Sequence, residues 1–283
     1  MRERIGRLLG TRVDDLGDLG SSHSWTLHRA RVADGREVFV KAAHDRTGVF
    51  AAEAAGLRWL AEAGPGMPVP DVLAVDGQTL VLPWLPSAPP TAEIAERFGR
   101  ELAALHTGAR PEAYGAPWEG FIADLPLDNT PDRRGWPAWY AERRLDPFLR
   151  RASRHLSSAD LRLVERVIAG IGELAGPPEP PSRVHGDLWS GNVLWTDARA
   201  LVIDPAAHGG HRETDLAMMA LFGTPHLDRV LAAYDETAPL ADGWRQRVPL
   251  HQLHPLLVHL ELYGGSYRSS VVEAAGAALA AGT

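Results

Sequence analysis

Apolar positions change their spacing near residue 90. SWTLHRARV (24–32) and REVFVKA (36–42) are strand-like runs flanking Asp34-Gly35, a strong hairpin signal. TGVFAAEAAGLRWLAEAG (47–64) instead carries Phe50, Leu57 and Leu60 in helical phase and stops at Gly64-Pro65. DVLAV (71–75) and TLVLPWL (79–85) flank Asp76-Gly77 and predict a second hairpin. PSAPP (86–90) breaks the pattern. TAEIAERFGRELAALHTGA (91–109) then places Ile94, Phe98, Leu102 and Leu105 on one helical face. A Pro-, Gly- and Trp-rich loop follows over 110–135, then helices over 136–156 and 159–175, and a stiff PPEPP connector at 177–181. RVHGDLWSGNVLWTDARALVIDPA (183–206) reads as loop, short strand, turn, strand, and the remainder is helical. The expected architecture is α+β and bilobal: a small antiparallel-sheet lobe over 1–85 and a large helical lobe over 86–283. Ligands favour the cleft between two such lobes.

Composition narrows this picture. The 283 residues suffice for a large core, and the net charge of −7 argues against a broad nucleic-acid surface. There is no cysteine, which excludes disulfides, thiolate metal sites and cysteine nucleophiles. MRERIGRLLG lacks the apolar core of a secretory signal, and no apolar run is long enough to span a bilayer. A cytoplasmic location without membrane or nucleic-acid partners is expected.

One residue stands apart. Lys and Arg together number 29, yet Lys41 is the sole lysine, leaving 28 arginines. A composition so tilted toward arginine should keep a lysine where a guanidinium cannot work, as in a tight phosphate pocket. Glu53 lies twelve residues on, in the following helix. A strand lysine paired with a helix glutamate is the ion pair that holds the α- and β-phosphates in a kinase cleft.

The densest chemistry is VHGDLWSGNVLW (184–195) followed by LVIDPA (201–206). Asp187, Asn192 and Asp204 offer two carboxylates and an amide, hard oxygen donors suited to magnesium beside phosphates. His185-Gly186-Asp187 stands where kinases carry H-R-D, and Asp204-Pro205-Ala206 where they carry D-F-G. By that pattern Asp187 is the base, and Asn192 and Asp204 are the metal ligands. LGSSHSW (19–25) lacks a full glycine motif, but beside Lys41 the residues Gly20, Ser21 and Ser22 could cover phosphates with amides and hydroxyls. In Leu82-Pro83-Trp84-Leu85, the Pro83 carbonyl and the Leu85 amide could read adenine. Trp189 could wall the acceptor site, and His259 and Tyr263, one helical turn apart, could face it. His185 and Asp215 read as braces of the catalytic loop.

HGDLWSGNVL, IDPAAHGGHRETDLAMMALFG, FVKAA, FGRELAALH, WYAERRL and HQLHPLLVHLELYGGSY together make the chain similar to the fructosamine-3-kinase (ketosamine-3-kinase) family, over about residues 15 to 270. The Trp in HGDLWSGN separates that family from aminoglycoside and choline kinases. The resemblance implies a protein-kinase-like fold and use of ATP and magnesium. It implies phosphorylation of the 3-hydroxyl of ketosamines, on proteins or small amines, after which the 3-phosphate eliminates and deglycates the amine. A monomer or a homodimer is compatible with it. Two features depart from the family: Pro83 replaces an acidic hinge residue found in many relatives, and the cysteine some carry in the phosphate loop is missing, which rules out thiol control of a dimer. An aminoglycoside- or choline-type kinase, or a non-catalytic binding module of the same fold, remain the alternatives.

Overall fold

The computed structural model describes residues 1–45 and 47–282. Arg46 and Thr283, the latter closing the expected helical lobe, lie outside the described residues. The chain opens with α1 (Arg2–Leu9), capped by Gly10 in the left-handed region at φ 65°. Five strands then form one antiparallel sheet in the order β1-β2-β3-β5-β4: β1 (Val13–Ser22), β2 (Trp25–Val32), β3 (Glu37–Ala43), β4 (Ala74–Asp76) and β5 (Thr79–Pro83). Helix α2 (Val49–Ala61) is inserted between β3 and β4.

Strand alternation decides which face Lys41 joins. Val38 and Val40 of β3 point to a core shared with Ile5 of α1, Val13, Val32 and Val81. Phe39 and Lys41 therefore point to the opposite face, where Phe50, Ala54 and Leu57 of α2 pack on Trp25, Leu80 and Leu82. On α2 the buried positions 50, 53, 54, 57 and 60 form one stripe, and Glu53 sits within it. The two periodicities deliver the lysine and the glutamate to the same layer.

The rest is mainly helical, giving the expected bilobal α+β arrangement. Helix α3 (Ala92–Thr107) is capped by the Thr91 side chain, which accepts from the Ile94 amide at 3.2 Å. The loop expected over 110–135 holds a short hairpin, β6 (Gly120–Ile122) with β7 (Leu125–Leu127). The helix expected over 136–156 is α4 (Trp136–Tyr140) and α5 (Asp146–Ala152), joined by a π-helical turn at Ala141–Leu145 and ending in a 3-10 turn. The next is interrupted at Gly170 into α6 (Ser158–Ala169) and α7 (Ile171–Leu174).

Two small antiparallel pairs carry the catalytic segment. β8 (Ser182–Val184) pairs with β11 (His208–Gly210), and β9 (Val193–Trp195) with β10 (Ala200–Val202). Asp187 lies between β8 and β9, and Asp204 lies between β10 and β11, two residues past the end of β10. Helices α8 (Glu213–Leu221), α9 (Leu227–Thr237), α10 (Trp244–Tyr263) and α11 (Arg268–Ala281) complete the fold. Leu250, Leu253, Leu257 and Leu260 of α10 form the middle of the largest core, against Tyr140, Phe148 and Val271. No helix among the described residues is long and apolar enough to cross a membrane.

Candidate active site

Lys41 and Glu53 are only 3% and 5% exposed, and Lys41 Nζ lies 3.0 and 2.9 Å from the two Glu53 oxygens. The same ammonium donates to Asp204 Oδ1. One cation thus serves two carboxylates. Burial, then the Asp204 charge, pushes the Glu53 carboxyl up to about 8 against the pull of Lys41. Burial also opposes charge on Lys41, but Glu53 and Asp204 outweigh it and hold its pKa above the ordinary value.

The catalytic loop is braced from below. His185 N and Gly186 N donate to the two oxygens of Asp215 at 2.6 and 2.9 Å. Asp215 is itself held by His106, which reaches the Tyr234 hydroxyl. His185 Nε2 donates to the Ile203 carbonyl at 2.8 Å, while Nδ1 accepts from the Asp187 amide. Burial lowers the His185 pKa, so the neutral ring ties the Asp187 loop to the strand leading to Asp204. Gly186 has φ 82°, and a Cβ there would lie 2.3 Å from the Ala206 carbonyl. Only glycine lets the two carboxylate-bearing segments approach so closely.

Asp187 and Asn192 face each other. Asn192 Nδ2 donates to Asp187 O at 2.8 Å and to Asp187 Oδ2 at 3.0 Å. Burial and the nearby Asp204 charge push the Asp187 carboxyl up to about 7, although the Asn192 bond opposes this. Asp204, at φ 56°, is held below its usual range because Lys41 outweighs its burial.

Lys41, Glu53, Asp187, Asn192 and Asp204 line one cleft of about 150 Å³ with Ser22, His23, Trp25 and Trp189. Gly20 and Ser21 do not line it. The Gly20 amide is engaged by Asp18 Oδ1 at 2.8 Å, so it points no free donor at a ligand. Pro83 and Leu85 line an adjoining apolar slot of about 190 Å³ with Phe39, Leu82, Leu194, Ile203 and Asp204. Trp84 donates to the Glu37 carbonyl at 3.0 Å, and this register turns the Pro83 carbonyl away from β3.

Trp189 is 40% exposed, its ring so close to Gly191 that a Cβ there would lie 2.3 Å from it. Its edge meets Phe222, with centroids 6.4 Å apart, and Phe222 meets His259 at 4.7 Å. His259 in turn lies 5.4 Å from Tyr263 and 5.0 Å from Tyr267. An aromatic strip therefore runs from the catalytic loop along the end of α10. Phe222 and Tyr267 join Trp189, His259 and Tyr263 only in three dimensions, because no periodicity links a helix end to a distant 3-10 turn. His259 Nδ1 donates to the Pro255 carbonyl at 2.7 Å, which fixes the ring.

Helix α2 is clamped to the helical lobe. Arg183, on the strand leading into the catalytic loop, stacks 4.4 Å over the Trp59 ring and donates to the carbonyls of Trp59 and Ala109. Trp118 meets Trp59 edge-on at 5.6 Å. A Cβ on Gly56 would lie 3.1 Å from Ala207 Cβ and 3.4 Å from Pro205 Cγ, next to Asp204. His211, Glu213 and His251 also cluster, but Arg247 already grips both Glu213 oxygens at 2.9 and 2.6 Å, and the group braces α8 on α10.

A strand lysine salt-bridged to a helix glutamate, facing a carboxylate-bearing loop across a lobe interface, belongs to phosphotransferases of the protein-kinase-like fold. The fold is shared with a macrolide 2'-phosphotransferase from Brachybacterium faecium, 19% identical, with a TM-score of 0.63 and 96% of each chain covered. More specifically, residues 19–280 match the family model for fructosamine kinase. A Thermus thermophilus protein assigned as a ketoamine kinase is 35% identical over 236 residues, 82% of this chain and 84% of its own length. A crystal structure assigned as a fructosamine-3-kinase from Thermobifida fusca is 55% identical, with a TM-score of 0.95 and coverage of 99% and 98%. The chain belongs to the fructosamine kinase family, and it is a phosphotransferase.

Proposed function

We propose that this enzyme transfers the γ-phosphoryl group of ATP to the 3-hydroxyl of a ketosamine, in a magnesium-dependent reaction. The observation that carries the reading is the convergence of Lys41–Glu53, Asp187–Asn192 and Asp204 on one cleft, beside an exposed aromatic strip.

The donor set suits the nucleotide and its metal. Asn192 engages Asp187 through Nδ2, which leaves its amide oxygen to join the Asp204 carboxylate as hard ligands. Magnesium there would neutralise phosphate charge as the γ-phosphoryl group leaves. Lys41, fixed by Glu53, would hold the α- and β-phosphates, with Ser22 above them. Gly20 and Ser21 shape the strand that presents that hairpin. Pro83 and Leu85 would receive adenine in the apolar slot, through the Pro83 carbonyl and the Leu85 amide.

Asp187 orients the acceptor hydroxyl and takes its proton as the acceptor oxygen bonds to the γ-phosphorus and the bond to the β-phosphate oxygen breaks. General-base help of this kind is worth roughly 10²–10⁴-fold. Trp189, Phe222, His259 and Tyr263 would receive the sugar-amine. The ketosamine nitrogen is cationic, and aromatic faces attract cations by about 0.5–2 kcal/mol. A polycationic aminoglycoside would instead need a broad acidic surface. Residues 244–270 offer Glu261 as their only acid, and Arg154 already pairs with it at 3.0 Å. The 3-phosphate product would eliminate and free the amine, whether the substrate is a small ketosamine or a glycated protein.

The test is a parallel acceptor screen of fructosamine and ribulosamine derivatives, kanamycin-type aminoglycosides and choline, scored by ATP-dependent phosphate transfer. Transfer to ketosamines alone is expected. Transfer to an aminoglycoside or choline with none to any ketosamine would overturn the acceptor assignment and leave the phosphotransferase chemistry standing.

A further inference from the structure

The β1–β2 hairpin tip carries a side chain that the sequence pattern does not single out. Ser22 pairs with Trp25, so His23 and Ser24 form a two-residue turn. Such turns favour Gly, Asn or Asp at positive φ, yet His23 occupies it at φ 53°. Its ring is oriented on two sides. Nδ1 lies 3.1 Å from Ser22 Oγ, and the ring lies 5.2 Å from the Trp25 ring at a 32° tilt. Trp25 is itself buried and edge-packed on Phe50 of α2, so the stack has a rigid base. Among the described residues Nε2 has no hydrogen-bond partner, and His23 lines the cleft together with Lys41, Asp187 and Asp204.

We infer that His23 is a phosphate-binding residue, whose Nε2–H donates to a β- or γ-phosphoryl oxygen of the bound nucleotide. This rests on the nucleotide reading above. The physical reason lies in what the hairpin lacks. It has no G-x-G-x-x-G run, and the Gly20 amide is turned back to Asp18. With the Gly20 amide taken and no glycine run to bring the backbone close, a side-chain donor at the hairpin tip can reach the phosphates instead. An imidazole fixed by a hydroxyl at one nitrogen and an indole at its face presents that donor with little ordering left to do on binding.

Isothermal titration of ATP, ADP and AMP, with magnesium, against the wild-type protein and the His23→Ala and His23→Gly variants tests this. The wild type should bind ATP more tightly than AMP. Both variants should lose on the order of tenfold or more in ATP affinity, the scale of one hydrogen bond to a charged group. AMP affinity should move by less than about twofold, and the ADP arm assigns the contact to the β- or the γ-phosphate. The glycine variant separates ring from backbone, since glycine accepts the left-handed turn without strain. Wild-type ATP affinity in both variants, or in His23→Gly alone, would overturn the assignment. Failure of the wild-type protein to bind ATP at all would instead overturn the nucleotide reading.

Discussion

At the scale of single residues, two positions make the sharpest predictions. Lys41 accepts no branching: a guanidinium is larger and planar, and the space between Glu53 and Asp204 is already filled by one ammonium. Lys41→Arg should therefore lose most of the turnover, about 10²-fold or more, although charge is conserved, as in other cases of misplaced phosphate contacts. Steady-state kinetics check this, and near wild-type turnover would contradict it. Asp187 owes part of its raised pKa to Asp204. In the metal-free protein, Asp204→Asn removes that negative neighbour, so ionisation of Asp187 becomes easier and its pKa should fall below about 7. Carboxyl-carbon NMR titration reads this directly, and an unchanged or raised value would count against the coupling.

At the scale of elements, α2 is the part on which the nucleotide cleft depends. It presents Glu53, and it is held at Trp59 by Arg183 and Trp118 and at Gly56 by Pro205 and Ala207. Gly56→Val would insert two methyl groups where a Cβ alone already meets Ala207 at 3.1 Å. Overpacking of this kind costs about 1–3 kcal/mol, and here the relief available is a shift of α2 away from Asp204. The expected outcome is a higher KM for ATP with a lower kcat, together with faster amide exchange in α2. A lowered melting temperature with unchanged kinetics of the folded fraction would show that the contact only stabilises. Elements also differ in how legible they are. The hairpins at Asp34-Gly35 and Asp76-Gly77 and the stripes of α2 and α3 follow from local period and turn chemistry. β1 escapes that reading because VDDLGDLGSS is an edge strand with mostly exposed positions and no apolar alternation.

At the scale of the whole molecule, ligand binding and folding are linked. A nucleotide that binds only the folded protein at about 100 times its Kd stabilises it by about 2.7 kcal/mol. Asp204→Asn should abolish the part of the thermal shift that appears only when magnesium accompanies ATP, while the metal-free protein keeps its fold. A magnesium-dependent shift equal to that of the wild type would remove Asp204 from the metal site. The buried Glu213–Arg247 pair joins α8 to α10, and its partners are 2% and 8% exposed. Removing one partner leaves an unpaired buried charge, so Glu213→Ala should destabilise by about 3–5 kcal/mol in a denaturant titration. A change below about 1 kcal/mol would mean that the pair contributes little beyond its surroundings.

The amino-acid sequence alone determined the strand and helix periods, the change to helix after PSAPP, the lone lysine and the spacing of Asp187, Asn192 and Asp204. Each is set by neighbours a few residues apart, where side-chain period, turn residues and motif spacing act. The tertiary structure decided which face of β3 meets α2, that Gly20 turns away from the cleft while His23 faces it, and that Phe222 and Tyr267 extend the aromatic strip from Trp189. It also decided the grip of Arg183 on Trp59, 124 residues away along the chain. These are matters of packing between segments far apart in sequence, and they carry no local period because each partner's position is fixed by a different element.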